Sequence, residues 1–398
     1  MRTLILRLIR ESGADGIAPG ELMALLIGQL SRSTLNRELA VLLAEGCIKS
    51  QGKARATRYV TTNPLTRAEI DEYFLRPAER RPLVPFREEL LGPLPNIDPE
   101  RAARCMQIQA LANRPGRSHR SLFLLYFTWS SSLLEGSSYS ELDTEVLVRY
   151  GERNPDKPIE DALLALNHKL AGEYLWANRA LSLQSLCRLH DLLTNDRGVM
   201  IPGRSDHFLP QALRGRPRID EDVNISQSAY VPPFRPGTSH AADALERIID
   251  VASTLPPVEA AVYLLTRIPY AQSFANGNKR LSRVAANAPL LAAGVAPMTW
   301  LGASKDCYIR GLSAFYELGS MHVMEQVFIE SYARSIVRSG DRPPGTEFGF
   351  KEDLVVAQLV DFINSGRRHR NDLIRPFLKT GMGTANSRVS PAHGSQGR

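Results

Sequence analysis

Residues 272–283 read Gln272-Ser273-Phe274-Ala275-Asn276-Gly277-Asn278-Lys279-Arg280-Leu281-Ser282-Arg283. Gly277 lets the backbone turn sharply, and the residues after it open an apolar helix expected to end near Pro289. The first amides of a helix have no intrahelical acceptor and stand at the positive end of its dipole, so they favour a phosphate. Arg280 and Arg283 are three residues apart, share one helix face and can reach the same polyphosphate, with Lys279 as a third cation. An ordinary turn before a solvated basic helix would use the same residue types, so the surrounding chain has to decide.

From about 100 to 340 the apolar spacing is helical throughout, broken by Pro/Gly-rich stretches at 202–218 and 231–238. This predicts a helical domain, with a helical extension over 341–377 and a disordered tail over 378–398, which has almost no apolar residues to offset the entropy of ordering. Residues 63–99 carry Pro77, Pro82, Pro85, Pro93, Pro95 and Pro99 and read as a linker with short helices. Ahead of it, apolar spacing predicts a first helix over 3–12 and a second over 19–27, with Pro19 in its first turn. A third helix is capped by Ser31 or Ser33, carries the stripe Leu35, Leu39, Leu42 and Leu43, and stops at Gly46. The run from Ile48 to Val60 turns at Gly52 as a hairpin should, and three helices with a hairpin over 1–62 make a winged helix-turn-helix.

The chain has 398 residues, 43% hydrophobic and 23% charged, as soluble proteins of two or three units do. No stretch approaches the roughly 18 apolar residues that cross a bilayer, which excludes a membrane partner, and the first ten residues lack a secretory cleavage site, so a cytoplasmic location is expected. Cys47, Cys105, Cys187 and Cys307 lie too far apart for zinc or a disulfide framework. A formal charge of +7 points to an anionic partner. Arg32, Ser33, Asn36 and Arg37 lie near the start of the third helix, and Lys49, Lys53, Arg55 and Arg58 lie on the hairpin. Those are the two elements that touch duplex DNA in a helix-turn-helix docking, although such modules also dimerise or dock proteins.

The 272–283 stretch resembles the signature of the Fic/Doc family, in words His-x-Phe-x-acid-Gly-Asn-Gly/Lys-Arg-x-x-Arg. Phe274, Gly277, Asn278, Lys279, Arg280 and Arg283 match; Gln272 stands in the place of the catalytic histidine and Asn276 in that of the acid that holds magnesium. Ser131 to Gly136 is similar to the family's inhibitory motif, whose glutamate, here Glu135, pairs with the second arginine, here Arg283. Glu135 also stands at a helix C-terminus before Gly136, where its charge opposes the dipole unless a cation is near. Asp161 to Ala171 is similar to the helix that follows, and 223–233, with Ile225, Ser228 and Tyr230, to the flap that positions target segments. The resemblance implies a mainly α chain: an all-helical Fic fold with a small flap hairpin after the winged helix, a site for ATP with magnesium, and a target protein at the flap.

Fic enzymes transfer AMP from ATP to a target hydroxyl, and a base takes the hydroxyl proton. Glutamine does not titrate near neutral pH, so a contribution of roughly 10²–10⁴-fold is missing at Gln272. Magnesium prefers anionic oxygen, so Asn276 weakens the metal site. The expected function is therefore a regulatory, nucleotide-binding protein with a DNA-binding winged helix. The alternatives are an active protein adenylyltransferase and a repressor whose helical domain only forms a homodimer.

Overall fold

Ile5, Leu6 and Ile9 recur at helical spacing and form the buried face of α1 (Arg2–Glu11). The computed structural model describes residues 1–12, 15–26, 28–44, 47–52, 56–61, 65–108, 119–199, 206–338 and 350–378. In α2 (Pro19–Leu25) the proline takes the first position, where a missing N–H is no loss. The N–H of Thr34 donates to Ser31 Oγ at 3.2 Å at the start of α3 (Arg32–Ala44), which turns Leu35, Leu39 and Leu42 inward. Strands β1 (Ile48–Gln51) and β2 (Arg58–Thr61) pair antiparallel, with Ile48 opposite Thr61 and Gln51 opposite Arg58. These elements close over a small core of their own that includes Ile5, Ile9, Leu22, Leu39 and Ile48. Gly46, Lys53 and Arg55 lie outside the described residues.

Next comes α4 (Arg67–Tyr73), started by a capping box between Thr66 and Glu69, and its Ile70 packs on Ala314 and Val323 of the larger body. A short strand β3 (Val84–Pro85) follows. The body contains α5 (Pro99–Gln107), α6 (His119–Glu135), α7 (Glu141–Tyr150), α8 (Ile159–Ala177) and α9 (Leu183–Thr194), then β4 (Tyr230–Val231). After it come α10 (His240–Thr254), α11 (Pro257–Ala271), α12 (Asn278–Ala285), α13 (Asn287–Ala292), α14 (Lys305–Leu318), α15 (His322–Arg338) and α16 (Phe350–Ser365). From Ala260 to Ala271 every residue of α11 is buried, including Thr266 and Arg267, which donate to the carbonyls of Val262 and Leu90. It is packed by α5, α10, α12, α13 and α14, while α16 lies against both α5 and α3. Among the described residues no helix is long and apolar enough to cross a membrane.

Three expectations are corrected. The 223–233 segment makes no hairpin with itself: β4 pairs in parallel with β3, with Val84 N–H donating to Ala229 O at 2.8 Å and Phe86 N–H to Val231 O at 3.1 Å. Pro232 and Pro233 follow at once, lack an N–H for a returning ladder, and so leave the strand to an outside partner. The helix that begins at Asn278 breaks at Ala286, and Pro289 falls in the first turn of α13, where it needs no acceptor. Leu378, the first residue of the expected tail, makes a β-bridge with Ile108; 379–398 lie outside the described residues.

Candidate functional site

The loop between α11 and α12 is fixed by its own side chains. Gln272 ends α11 in the left-handed region, at φ 47° and ψ 46°. Its Nε2 donates to Pro269 O at 2.7 Å, and its Oε1 accepts from Asn278 Nδ2 at 3.0 Å. Asn278 also spans the turn, accepting from Phe274 N–H at 3.0 Å and donating to Phe274 O at 2.8 Å. Gly277 caps α12 at φ 79°, and a Cβ there would stand 2.8 Å from Thr194 Cγ2 and 3.2 Å from His190 Nε2. Backbone and space therefore both require glycine.

Behind the loop, α12 buries two guanidiniums. Arg283 Nη2 donates to Glu135 Oε1 at 2.6 Å and its Nε to Ser131 Oγ at 2.8 Å. Arg280 Nη1 donates to Leu193 O at 2.9 Å, and its Nε lies 3.7 Å from Glu135 Oε2. Nη2 of Arg280 and Nη1 of Arg283 have no hydrogen-bond partner among the described residues, a costly state for buried donors unless a ligand supplies oxygen. Burial opposes ionisation of Glu135, but Arg283, Arg280 and Lys279 outweigh it and hold the carboxyl well below the usual range. The glutamate at the end of α6 thus has its counter-ions, and Gly136 leaves the helix at φ 102°. His207 stands beside the same carboxylate at 4.0 Å and lies 3.9 Å from Glu160.

At Asn276 the chemistry does not suit magnesium. Its Oδ1 accepts the Gly277 N–H, and its Nδ2 donates to Asp206 O at 2.6 Å. A single neutral oxygen that is already engaged is a poor ligand for magnesium.

Several residues at the site carried little or no sequence signal. The His190 ring stacks on Phe274 with centroids 4.0 Å apart, its Nδ1 accepts from Gly215 N–H at 2.9 Å, and its Nε2 lies 2.8 Å from Asn276 O. Because Nδ1 accepts, the proton sits on Nε2 and points at the loop; burial lowers the pKa to about 4 and keeps the ring neutral. Its one visible signal is a histidine set among Leu186, Leu189 and Leu193 on the inner face of α9. Arg218 links the loop to the next segment, with Nε donating to Gln272 O at 2.6 Å and Nη2 donating to Pro233 O. Nothing in its sequence context marks it.

Of the 223–233 residues, Ser228 Oγ donates to Glu317 at 2.8 Å, the Tyr230 hydroxyl donates to Tyr270 O at 2.6 Å, and Ile225 packs at the edge of the main core. Arg32, Ser33, Asn36 and Arg37 are exposed together on α3, and Lys49 is exposed on β1. Arg58 folds back instead, donating to the carbonyls of Asp15 and Gly16 and to Glu21.

Residues 180–290 match a model of the Fic/DOC family. Comparison with curated proteins returns no match. Among solved structures, a C. elegans chain described as Fic-1 (aa134–508) is 18% identical with a TM-score of 0.44, covering 55% of this chain and 63% of its own. A Fic domain containing signaling protein from Bacteroides thetaiotaomicron is 17% identical with a TM-score of 0.46, covering 60% of this chain and 95% of its own. This chain therefore spans less than two thirds of the C. elegans chain. The matched span encloses the loop, His190, Arg218 and both buried arginines, and residues 180–290 form a domain of the Fic/DOC family.

Proposed function

We propose that the chain binds ATP at the α12 N-terminus, has lost most or all AMP transfer, and acts in the cytoplasm as a regulator whose N-terminal winged helix contacts duplex DNA. The observation that carries this reading is the buried pair Arg280 and Arg283, with unpartnered N–H groups and the single carboxylate of Glu135 as counter-ion. A triphosphate is the ligand that takes the place of that carboxylate. Its inner phosphates face the first amides of α12, which no side chain caps, and its terminal phosphate takes the guanidiniums.

Fic-domain proteins typically bind nucleotide and transfer AMP. Here the group at the proton-accepting place is an amide whose oxygen is already bonded to Asn278, so deprotonation of a target hydroxyl has no assistance from it. Segment 223–233 would act as the flap against which a target protein lies. The exposed Arg32, Ser33, Asn36 and Arg37 on the first turns of α3 support a DNA contact. Calorimetric titration with ATP, ADP and AMP, with and without magnesium, tests the nucleotide reading. ATP is expected to bind more tightly than AMP, with little gain from magnesium; absence of ATP binding would remove the basis of the reading.

A further inference from the structure

We infer that Glu317 is the positioning residue of the 223–233 flap and ties it to α4, so that the set of the flap depends on how α4 and the N-terminal module dock. The role of the flap rests on the function proposed above; the latch rests on geometry alone. Glu317 lies one residue from the end of α14, its side chain fully buried, and three hydrogen-bond donors and one ion-pair partner from distant segments meet on its two oxygens. Oε1 accepts from Ser228 Oγ at 2.8 Å and from Ala229 N–H at 3.1 Å. Oε2 accepts from the Tyr73 hydroxyl at 3.0 Å and faces Arg81 Nη1 at 3.3 Å. Arg81 closes the ring by donating from Nη2 to Gln227 O at 2.9 Å, while its guanidinium lies over the Phe74 ring at 4.6 Å.

A buried carboxylate has no water to replace a donor that leaves, so the loss of one arm weakens the hold on the others. Ser228 and Ala229, which the β3 ladder holds from one side through Val84, are thus coupled on the other side to Tyr73 and Arg81. Tyr73 is the last residue of α4, and α4 is tied to α1 by Arg10, whose guanidinium donates twice to Glu69, at 3.1 and 2.9 Å. At its far end the flap is held by Arg218, which also grips the carbonyl of Gln272. A continuous set of bonds thus runs from α1 through α4 and Glu317 to the flap and on to the phosphate loop. A ligand on the N-terminal module that shifts α1 against α4 would reset the surface offered to a target protein.

The test is amide hydrogen exchange on the full chain, comparing residues 227–231 with α11 and α12 in the same sample. Tyr73→Phe is expected to speed exchange at 227–231 by about fivefold, the effect of one lost hydrogen bond, and Ser228→Ala to do the same, with Ser228→Thr restoring the wild-type rate. Glu317→Gln is expected to act more strongly; if it fails to fold, Tyr73→Phe still decides. Wild-type exchange at 227–231 in Tyr73→Phe overturns the proposal, and so does an equal rise in α11 and α12, which would make the network a general support of the fold. Arg10→Ala is expected to speed exchange in both α4 and 227–231, and a rise confined to α4 refutes the link to the N-terminal module. ATP binding with unresponsive exchange removes the latch alone, whereas responsive exchange without ATP binding removes the nucleotide function and leaves the latch.

Discussion

Replacing Glu135 by glutamine keeps its shape and one acceptor oxygen but removes the charge that faces Arg283 at 2.6 Å and Arg280 at 3.7 Å. The two arginine side chains are 0% and 1% exposed and the Glu135 side chain 11%, so the guanidiniums lose their shared counter-ion with little water to replace it. Breaking a buried pair costs about 3–5 kcal/mol, and the partly open edge of Glu135 reduces this to about 2–3 kcal/mol. At about 2–4 °C per kcal/mol, the scale for domains of roughly 150–250 residues, the melting temperature should fall by about 4–12 °C without ligand. A triphosphate entering the wild type has to displace the carboxylate, whereas in the variant it meets free cations. ATP affinity should therefore rise by about tenfold, or about 1.4 kcal/mol, while AMP, which does not reach Arg283, gains little. Calorimetry with ATP and AMP and thermal melts with and without saturating ATP measure all three quantities, and ATP should restore most of the lost melting temperature. If Glu135→Gln binds ATP no better than the wild type and ATP does not restore its melting temperature, Glu135 is not the occupant of the phosphate place.

Other outcomes follow from the same geometry. Wild-type protein should transfer labelled AMP to itself or to lysate proteins at background level, and Gln272→His combined with Asn276→Asp should raise it; strong wild-type labelling that ignores changes at Gln272 would refute the loss of chemistry. Burial holds His168 near a pKa of about 3 and His190 and His322 near about 4, below the usual 6.5, so the unfolded chain binds protons that the native chain does not. Their contribution to stability is complete above 6.5 and is lost as the pH falls towards 4; urea midpoints that stay level between neutral pH and that region would contradict it. For the N-terminal module, Arg32→Ala with Arg37→Ala should weaken duplex binding and flatten its salt slope by about one unit per lost phosphate contact. Arg58→Ala should act mainly on the stability of the module, because its guanidinium is bound to the Asp15 and Gly16 carbonyls. Equal salt slopes in wild type and double variant would point to a protein partner.

The helices and the loop between α11 and α12 were legible because their signals are local. Apolar spacing marks α3 and α11, and Gly277, Asn278 and the two arginines build the loop within a few residues of one another. What escaped is what depends on distant partners. A two-residue strand such as Tyr230–Val231 has no alternation to read, and its pairing with Val84–Pro85 crosses more than a hundred residues of chain. His190 and Arg218 look like an ordinary core histidine and a loop arginine until the fold brings them to the carbonyls of Asn276 and Gln272. Glu317 sits on a helix that otherwise reads as core. Arg58 counted as a surface cation because nothing in sequence places the Asp15 and Gly16 carbonyls beside it.

The left-handed backbone at Gln272 has a bearing on what holds this loop. A residue with a side chain stays in that region only at a cost of about 1–2 kcal/mol, so the surroundings have to enforce it. They do so through backbone and neighbours: Arg218 holds the carbonyl of Gln272, and Asn278 ties the turn through Phe274. The side chain at 272 adds one bond to Asn278 and one to Pro269. An amide-to-imidazole change at 272 is therefore expected to remove two side-chain bonds and to leave those of Arg218 and of Asn278 to Phe274 in place, so that the turn outlasts the side chain it presents.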